Sequence, residues 1–275
     1  MTIADKLTTI AENEQKIYDK GYLAGDNDGY MAGKSQGYYE GYSQSESDFW
    51  DSVLNYGNRR NVQYIFYRWN REYIRPTYVV KSNPVSGENY RLVSMFGYNA
   101  KLKIIEKKYF DLSDFIPAAT PANSTTGLYS LCDQCTALEV FEDIGLQGGA
   151  YYRTWNTCRK LRTIENMRCV AEGKYSAVFS NCVSLVNITI NKYNEDGQGE
   201  IGTSFDIHYS PLSTASIVSI IEHLSDTSGA TLTLNTNAVN SMVFPYTSPY
   251  TNTTYNSWDE LIATKTNWTI SKASA

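Results

Sequence analysis

The chain has 275 residues, 42% of them apolar, and a formal net charge of −5 at pH 7. This length and apolar content suffice for a substantial core in one elongated domain or in two. The acidic balance argues against a nucleic-acid partner, because neutralising phosphates requires a basic surface. Tyrosine is over-represented with 23 residues. Its rings suit a recognition surface and equally suit the capping of an irregular core.

The first 47 residues carry an apolar seam at heptad-like spacing, followed by glycines at a strict interval of four. Six glycines would each cost a helix about 1 kcal/mol relative to alanine. A stripe of small residues nevertheless lets helix backbones approach closely, and the charged residues between the glycines exclude a bilayer. We therefore expect a self-associating α-helical stalk; the alternative is a flexible glycine-rich tether. The predicted oligomerisation residues are Ile3, Leu7, Ile10, Ile17, Gly21, Gly25, Gly29, Gly33, Gly37 and Gly41.

An aromatic-rich transition over 48–80 leads into a repeat that runs from Phe96 to Ile188. Each copy has an aromatic residue or Cys, then Cys or Asn, then Leu, then Ile or Phe, all three residues apart. We call these the first to fourth positions. The four copies are Phe96, Asn99, Leu102, Ile105; Cys132, Cys135, Leu138, Phe141; Trp155, Cys158, Leu161, Ile164; and Phe179, Cys182, Leu185, Ile188.

The spacing of the copies indicates the architecture. They begin at residues 96, 132, 155 and 179, so the last two steps are 23 and 24 residues and the first step is 36. The longer step holds a predicted loop over 116–126. Phe66 and Trp69 keep the first spacing and predict a degenerate initial copy, as terminal repeats often are. The interval is typical of leucine-rich repeats, so the expected fold class is α/β, a leucine-rich repeat solenoid with one short parallel strand per copy.

The cysteines admit two interpretations. Cys132 and Cys135 form a C-x-x-C, which could indicate a redox pair or half of a zinc site. Against this, Cys135, Cys158 and Cys182 share the second position, which favours small side chains stacked in the core. Neither histidine lies at ligand spacing from a cysteine. We predict reduced, structural thiols and neither a metal nor a cofactor. The five cysteines are Cys132, Cys135, Cys158, Cys169 and Cys182.

After Ile190 the pattern changes to alternating strands and helices. A polar loop is predicted over 191–202. Ser213 begins a helix whose apolar residues share one face and which ends near Gly229. Ser257 and Glu260 form a capping box for a helix through 264. Strands are predicted over 205–209, 231–234 and 268–271, and we expect them to continue the sheet of the repeat as its C-terminal copies and cap. The expected domains are thus 1–47, 48–208 and 209–275.

The chain shows no catalytic signature. It contains no G-x-S-x-G, no H-E-x-x-H and no P-loop. Carboxylate pairs for glycoside hydrolysis are possible among Glu139, Glu142 and Asp143, but Glu142 and Asp143 are adjacent at a strand end and point in different directions. We expect a binding protein and no catalytic residues. The candidate binding surface consists of aromatic residues near the repeat edge, Tyr151, Tyr152 and Trp155, although Trp155 also occupies a first position, which is typical of a core.

Two segments resemble known families. The motif M-F-x-x-N/C-x-x-L-x-x-I, present at 95–105, resembles the BspA-like leucine-rich repeats of bacterial surface proteins. The runs 210–213, 219–221, 231–234 and 263–270 are similar to the C-terminal end of that group, so this resemblance covers about 48–271. Residues 1–7 and 12–14 resemble the start of proteins encoded in phages and prophages of gut Firmicutes. The resemblance implies a leucine-rich repeat fold used for adhesion.

Targeting signals bear on the location. Residues 1–20 show no basic segment followed by an apolar one, so no signal peptide is predicted, and no stretch is long enough for membrane insertion. Because phage parts assemble in the host cytoplasm, this favours a virion. We expect a receptor-binding or adhesion protein of a phage tail tip or fibre, a homo-oligomer whose partners are other virion proteins and a host cell-surface protein or glycan. The alternatives are a bacterial leucine-rich repeat adhesin or interaction module at the cell surface and, less favoured, a glycan-processing enzyme.

The stalk hypothesis predicts that removal of residues 1–47 converts a homo-oligomer into a folded monomer, as measured by light scattering. Replacing Gly29 and Gly33 by Leu should weaken the assembly, although it raises helix propensity, because it blocks close backbone approach. An oligomer that survives loss of the whole segment would disprove the hypothesis.

Overall fold

A computed structural model describes residues 66–69, 71–75, 80–81, 92, 94–113, 128–146, 151–169, 173, 175–190, 200–226 and 229–275. Apart from Arg75 and Val80, these belong to one unit of the chain, residues 60–74 and 81–275. The predicted stalk over 1–47, with all ten oligomerisation residues, and the predicted loop over 116–126 lie outside the described residues.

The described part has α/β character, with mainly parallel sheets and three short helices. The strands are β1 Val80–Lys81, β2 Ile104–Ile105, β3 Phe110–Asp111, β4 Val140–Phe141, β5 Thr163–Met167, β6 Asn187–Ile190, β7 Phe205–Asp206, β8 Ala230–Asn235, β9 Tyr246–Thr247, β10 Thr254–Tyr255 and β11 Trp268–Ala273. The helices are α1 Thr214–Glu222, α2 Thr236–Asn240 and α3 Trp258–Ala263.

The four copies of the repeat contribute one strand each to a parallel sheet of order β2-β4-β5-β6. The register aligns Ile105 with Phe141, Phe141 with Ile164, and Ile164 with Ile188, which are the four fourth positions. All four side chains are buried. The prediction of one short parallel strand per copy is confirmed, because the spacing of three places equivalent residues of successive copies side by side.

The third and second positions fill the core beneath this sheet. Every third-position leucine has a relative exposure of 0%, as predicted: Leu102, Leu138, Leu161 and Leu185. The second-position thiols are also buried and free, and each donates to the first-position carbonyl of the preceding copy. Cys135 Sγ lies 3.0 Å from Phe96 O, Cys158 Sγ 3.0 Å from Cys132 O, and Cys182 Sγ 2.9 Å from Trp155 O. The predicted cysteine ladder is therefore present, and its members act as hydrogen-bond donors.

Phe66 occupies the first position of a copy that precedes the four. Its ring stacks on Phe96, with centroids 5.4 Å apart. Its carbonyl accepts from Asn99 Nδ2 at 2.5 Å, so Asn99 takes the role that cysteine has in the later copies. These contacts agree with the prediction of a degenerate initial copy.

Turns ahead of the strands stack on one another through backbone hydrogen bonds. The first-position N–H of Trp155 donates to Val178 O in the next copy at 3.1 Å. Residues two before and two after the first position do the same in the copies that begin at residues 96, 132 and 155, as when Thr157 N–H donates to Ser180 O at 2.7 Å. These flanking residues have left-handed backbone angles, with φ between 50° and 61°, although none is glycine: Arg68, Ser94, Tyr98, Ser130, Gln134, Arg153, Thr157, Ala177 and Asn181.

The left-handed angles have a clear physical role. They cost an ordinary residue roughly 1–2 kcal/mol each. In return they turn the N–H sideways, toward the neighbouring copy, where a net hydrogen bond contributes about 1 kcal/mol. Strain within one copy is thus offset by contacts between copies.

Helix α1 ends the four-stranded sheet. Ser213, its N-cap, donates its backbone N–H to Val186 O at 2.9 Å, the contact that a further strand would make. Beyond it, Ser216 Oγ accepts from Ile188 N–H at 2.9 Å and Ser219 Oγ accepts from Ile190 N–H at 3.2 Å. Serine hydroxyls thereby satisfy the edge of β6, which a helix backbone cannot do because its own groups are paired internally.

The prediction that the C-terminal strands continue this sheet is wrong. They form a second parallel sheet of order β11-β8-β7, with Leu232 beside both Phe205 and Ile270. The reason is α1, which covers the edge that β7 would have joined. The predicted strands over 231–234 and 268–271 lie within β8 and β11, whereas the strand over 205–209 is confined to 205–206.

The C-terminal helices follow local signals. Ser213 caps α1 as predicted, but the helix stops at Glu222, before Leu224, which bridges to Ile201. Ser257 Oγ accepts from Glu260 N–H at 3.2 Å, the forward half of the predicted capping box. The Glu260 carboxylate accepts from Asn256 N–H at 2.8 Å, one residue before the Ser257 N–H of a standard capping box. Helix α2 and the antiparallel pair β9–β10 were not predicted.

Leu161→Ala should lower the free energy of unfolding by about 2–5 kcal/mol, because it removes a fully buried side chain between two stacked copies. Val183→Ala, at a side chain that is 50% exposed, is the control and should change stability by less than about 0.5 kcal/mol. Urea unfolding monitored by fluorescence measures both. Equal effects of the two substitutions would contradict the assignment of Leu161 to the core.

Candidate binding surface

The structure corrects two of the three predicted binding residues. Tyr151 and Trp155 are each 1% exposed and belong to the core. The Tyr151 ring stacks on Trp155 and on Tyr175, at 5.6 and 5.8 Å between centroids. Its hydroxyl donates to Arg168 O at 2.5 Å, and burial raises the pKa of Tyr151 well above its usual value. Neither ring can meet a ligand in this fold.

A sequence signal for this burial exists. The residue four places before each first position is buried in every copy. An inward position thus precedes the four that the repeat pattern identifies, and Tyr151 occupies it. These residues are Leu92, Leu128, Tyr151 and Tyr175.

Tyr152, the third predicted residue, is half-buried and lies on the stacked turns. Its ring is stacked on Tyr129, the equivalent residue of the preceding copy, with centroids 5.2 Å apart and an angle of 14° between planes. Ser130 N–H donates to Tyr152 O at 3.0 Å, which fixes the relative height of the two turns. The pair therefore holds two half-buried rings in a fixed arrangement.

A second tyrosine pair lies on earlier turns of the same stack. The rings of Tyr67 and Tyr98 are 5.3 Å apart and tilted by 59°. The guanidinium of Arg68 lies over both, 5.2 Å from the Tyr67 centroid and 5.5 Å from the Tyr98 centroid. Arg68 is exposed, and Arg68 N–H donates to Gly97 O at 3.0 Å. We call Tyr67, Arg68, Tyr98, Tyr129 and Tyr152 the tyrosine row.

A polar network lies on the turns that carry the tyrosine row. The Asp133 carboxylate accepts from Asn156 Nδ2 at 2.7 Å and pairs with Arg153 NH2 at 3.0 Å. Ser130 Oγ donates at 3.5 Å to Oδ2, the same carboxylate oxygen that pairs with Arg153. Asp133 is only 2% exposed, and desolvation raises its pKa, although Asn156, Arg153 and Ser130 each oppose the rise. The network connects two successive turns and keeps the Arg153 charge engaged.

Charged side chains next to β2 form ion pairs and hydrogen bonds with neighbouring segments. Lys103 Nζ pairs with Glu72 at 2.8 Å, and Lys108 Nζ pairs with Glu106 at 3.2 Å. Glu142 accepts from Lys107 N–H at 2.8 Å. The Lys103–Glu72 pair is exposed on both sides, and such pairs typically contribute less than about 1 kcal/mol, whereas Glu106 in the second pair is largely buried. Glu142 and Asp143, weighed as a catalytic pair, have separate hydrogen-bond partners, because Asp143 accepts from Gly145 N–H and Asn166 Nδ2.

The buried thiols are suited to donate hydrogen bonds and not to act as nucleophiles. Burial raises the pKa of Cys132 and Cys158 well above the usual value and that of Cys169 and Cys182 to about 12. A protonated thiol can donate to a carbonyl, whereas a reactive or metal-binding cysteine needs the thiolate. In the part of the chain that the structure describes, no three His, Cys, Asp or Glu side chains converge on a possible metal position.

Among the helices described, none has the length and apolar character needed to span a membrane. No protein-family model, curated protein or solved structure matches this chain.

Asp133 should give the protein a specific pH dependence. Because its pKa is higher in the folded protein than the unfolded value of about 3.9, the fold is most favoured when the carboxyl is protonated, and this contribution is lost as the pH rises through the folded pKa. Asp133→Asn should therefore gain stability relative to wild type as the pH rises from about 4 to 7. Urea unfolding at a series of pH values measures the difference.

The matched control is Asp226→Asn, which removes the same charge from an exposed position outside the network. A rise of the same size in this variant would show that the effect comes from net charge and not from the buried network.

Proposed function

We propose that this protein is a receptor-binding or adhesion component of a phage virion, in a tail tip or fibre, and that its repeats form a leucine-rich repeat solenoid that serves as the binding surface. The observation that carries the proposal is the alignment of equivalent positions in successive copies. Fourth positions are paired in register, second positions each bond to the preceding copy, and the turns stack. Such stacking extends a surface one copy at a time.

The arrangement of the surface supports binding over catalysis. The inward positions of each copy are occupied by core side chains, and the outward positions are left for solvent and ligand. Half-buried tyrosines and an exposed arginine lie on the turns, together with the network in which Arg153 and Asn156 contact the buried Asp133. Tyrosine and arginine are the residue types that dominate recognition surfaces, since they combine rigid contact area with polar groups.

The resemblance of residues 1–7 and 12–14 to proteins of phages and prophages favours the virion, and the oligomeric stalk proposed for residues 1–47 would attach the binding surface to the particle. Several copies on one particle raise the overall avidity without any new contact. The resemblance of 95–105 to bacterial surface repeats favours the second candidate, a bacterial adhesin or protein-interaction module. Both candidates use the same surface and differ in where the protein is displayed.

Purified full-length protein should bind cells of a Firmicutes host and should compete with phage adsorption to those cells, because occupied receptors are no longer accessible to the particle. Adsorption counts measure the competition, and immunogold electron microscopy with antibodies against the protein should label virions. Absence of both cell binding and virion labelling would contradict the proposal. Cell binding with labelling of the bacterial surface in place of virions would favour the adhesin.

A further inference from the structure

The tyrosine row has the composition of a saccharide-binding surface. Each of its two ring pairs is held by a neighbouring copy, at 5.3 Å for Tyr67 and Tyr98 and 5.2 Å for Tyr129 and Tyr152. A ring that is already fixed loses little conformational entropy when a ligand stacks on it. Tyrosine offers an apolar face for the C–H groups of a sugar ring and a hydroxyl for its polar groups.

Within the described part of the chain, none of the exposed large hydrophobic side chains belongs to the tyrosine row. They are Tyr73, Val183, Val186, Val243 and Tyr250. A protein partner typically uses a contiguous apolar centre with a polar rim. A surface of tyrosine rings beside charged groups fits a polar, planar ligand better.

Arg68 gives the row a preference for negative charge. Its guanidinium lies over two tyrosine rings, and none of the described residues offers it a carboxylate. The nearby cations differ in this respect, because Arg153 is paired with Asp133 and Lys103 with Glu72. A guanidinium oriented by aromatic faces can donate two parallel hydrogen bonds to a carboxylate or a phosphate.

Building on the proposed function, we propose that the tyrosine row binds an anionic oligosaccharide of the host surface, with sugar rings stacked on the tyrosine pairs and a carboxylate or phosphate group at Arg68. The attraction is local, since the chain as a whole carries a net charge of −5. Binding should therefore weaken as salt is added, because an exposed ion pair is screened.

Isothermal titration calorimetry of the full chain tests the proposal with three probes: an oligogalacturonate for carboxylate, a glycerol phosphate oligomer for phosphate, and maltoheptaose as the neutral sugar. At least one anionic probe should bind more tightly than maltoheptaose. Arg68→Gln should weaken that binding about fivefold. Tyr67→Ala and Tyr152→Ala should each weaken it about five- to tenfold, one in each ring pair.

Tyr250→Ala is the matched control, because this tyrosine is 46% exposed and lies between β9 and β10, away from the turns of the repeat. It should bind as wild type does. Circular dichroism verifies that each variant is folded. If a tyrosine variant does not fold, Arg68→Gln still tests the proposal, because it is an exposed substitution that removes no buried group.

The outcomes separate this proposal from the proposed function. Tighter binding of the carboxylate probe or of the phosphate probe supports it and identifies the anion. Equal binding of all three probes, or anionic binding that Arg68→Gln leaves unchanged, overturns it. Binding to host cells without binding to any saccharide probe overturns the proposal of a saccharide ligand and is still consistent with the receptor-binding role. Saccharide binding without host-cell binding supports the row as a site and contradicts the proposed function.

Discussion

The backbone of one copy of the repeat satisfies only part of its hydrogen bonds internally, and the neighbouring copy supplies partners for the rest. Trp155 N–H donates to Val178 O, Thr157 N–H to Ser180 O, and Arg162 N–H to Glu139 O, each across a boundary between copies. A buried polar group without a partner costs roughly 1–3 kcal/mol. This requirement accounts for the left-handed residues that flank each first position, for the thiols that donate to carbonyls, and for the short strands that pair in register.

The same requirement determines how the sheet ends. A last strand that exposed its N–H groups would offer an edge for uncontrolled pairing. Ser216 and Ser219 remove that edge by accepting from Ile188 and Ile190, while Ser216 Oγ also donates to Val186 O at 3.1 Å. The helix can do this only because hydroxyl groups project from its side, since its backbone groups are engaged. The strands of the second sheet, β7, β8 and β11, therefore pair only with one another.

The sequence predicts the inward-facing part of this fold well and the rest poorly. A spacing of three identified Leu102, Leu138, Leu161 and Leu185 as core, because every copy must present the same residue types to its neighbours. Capping by Ser213 was predictable because the bond is local. The role of Ser216 and Ser219 was not, because it depends on which strand lies beside the helix. Tyr151 and Trp155 were misplaced because ring chemistry alone does not say which side of a turn a residue occupies.

In this fold the inward and outward positions have different roles, which explains how it can present a binding surface. The ladder depends on backbone groups and on buried side chains, so the residues between them can change without loss of a structural contact. In this chain those intermediate positions hold Tyr67, Arg68, Tyr98, Tyr129 and Tyr152. The tyrosine rings meet across copies in two pairs, Tyr67 with Tyr98 and Tyr129 with Tyr152, because the turns beneath them are held in register. The core therefore fixes the positions of the surface residues, while the types of those residues can differ from copy to copy. A binding function needs both properties, and the tyrosine row combines them without any residue that the ladder requires by type.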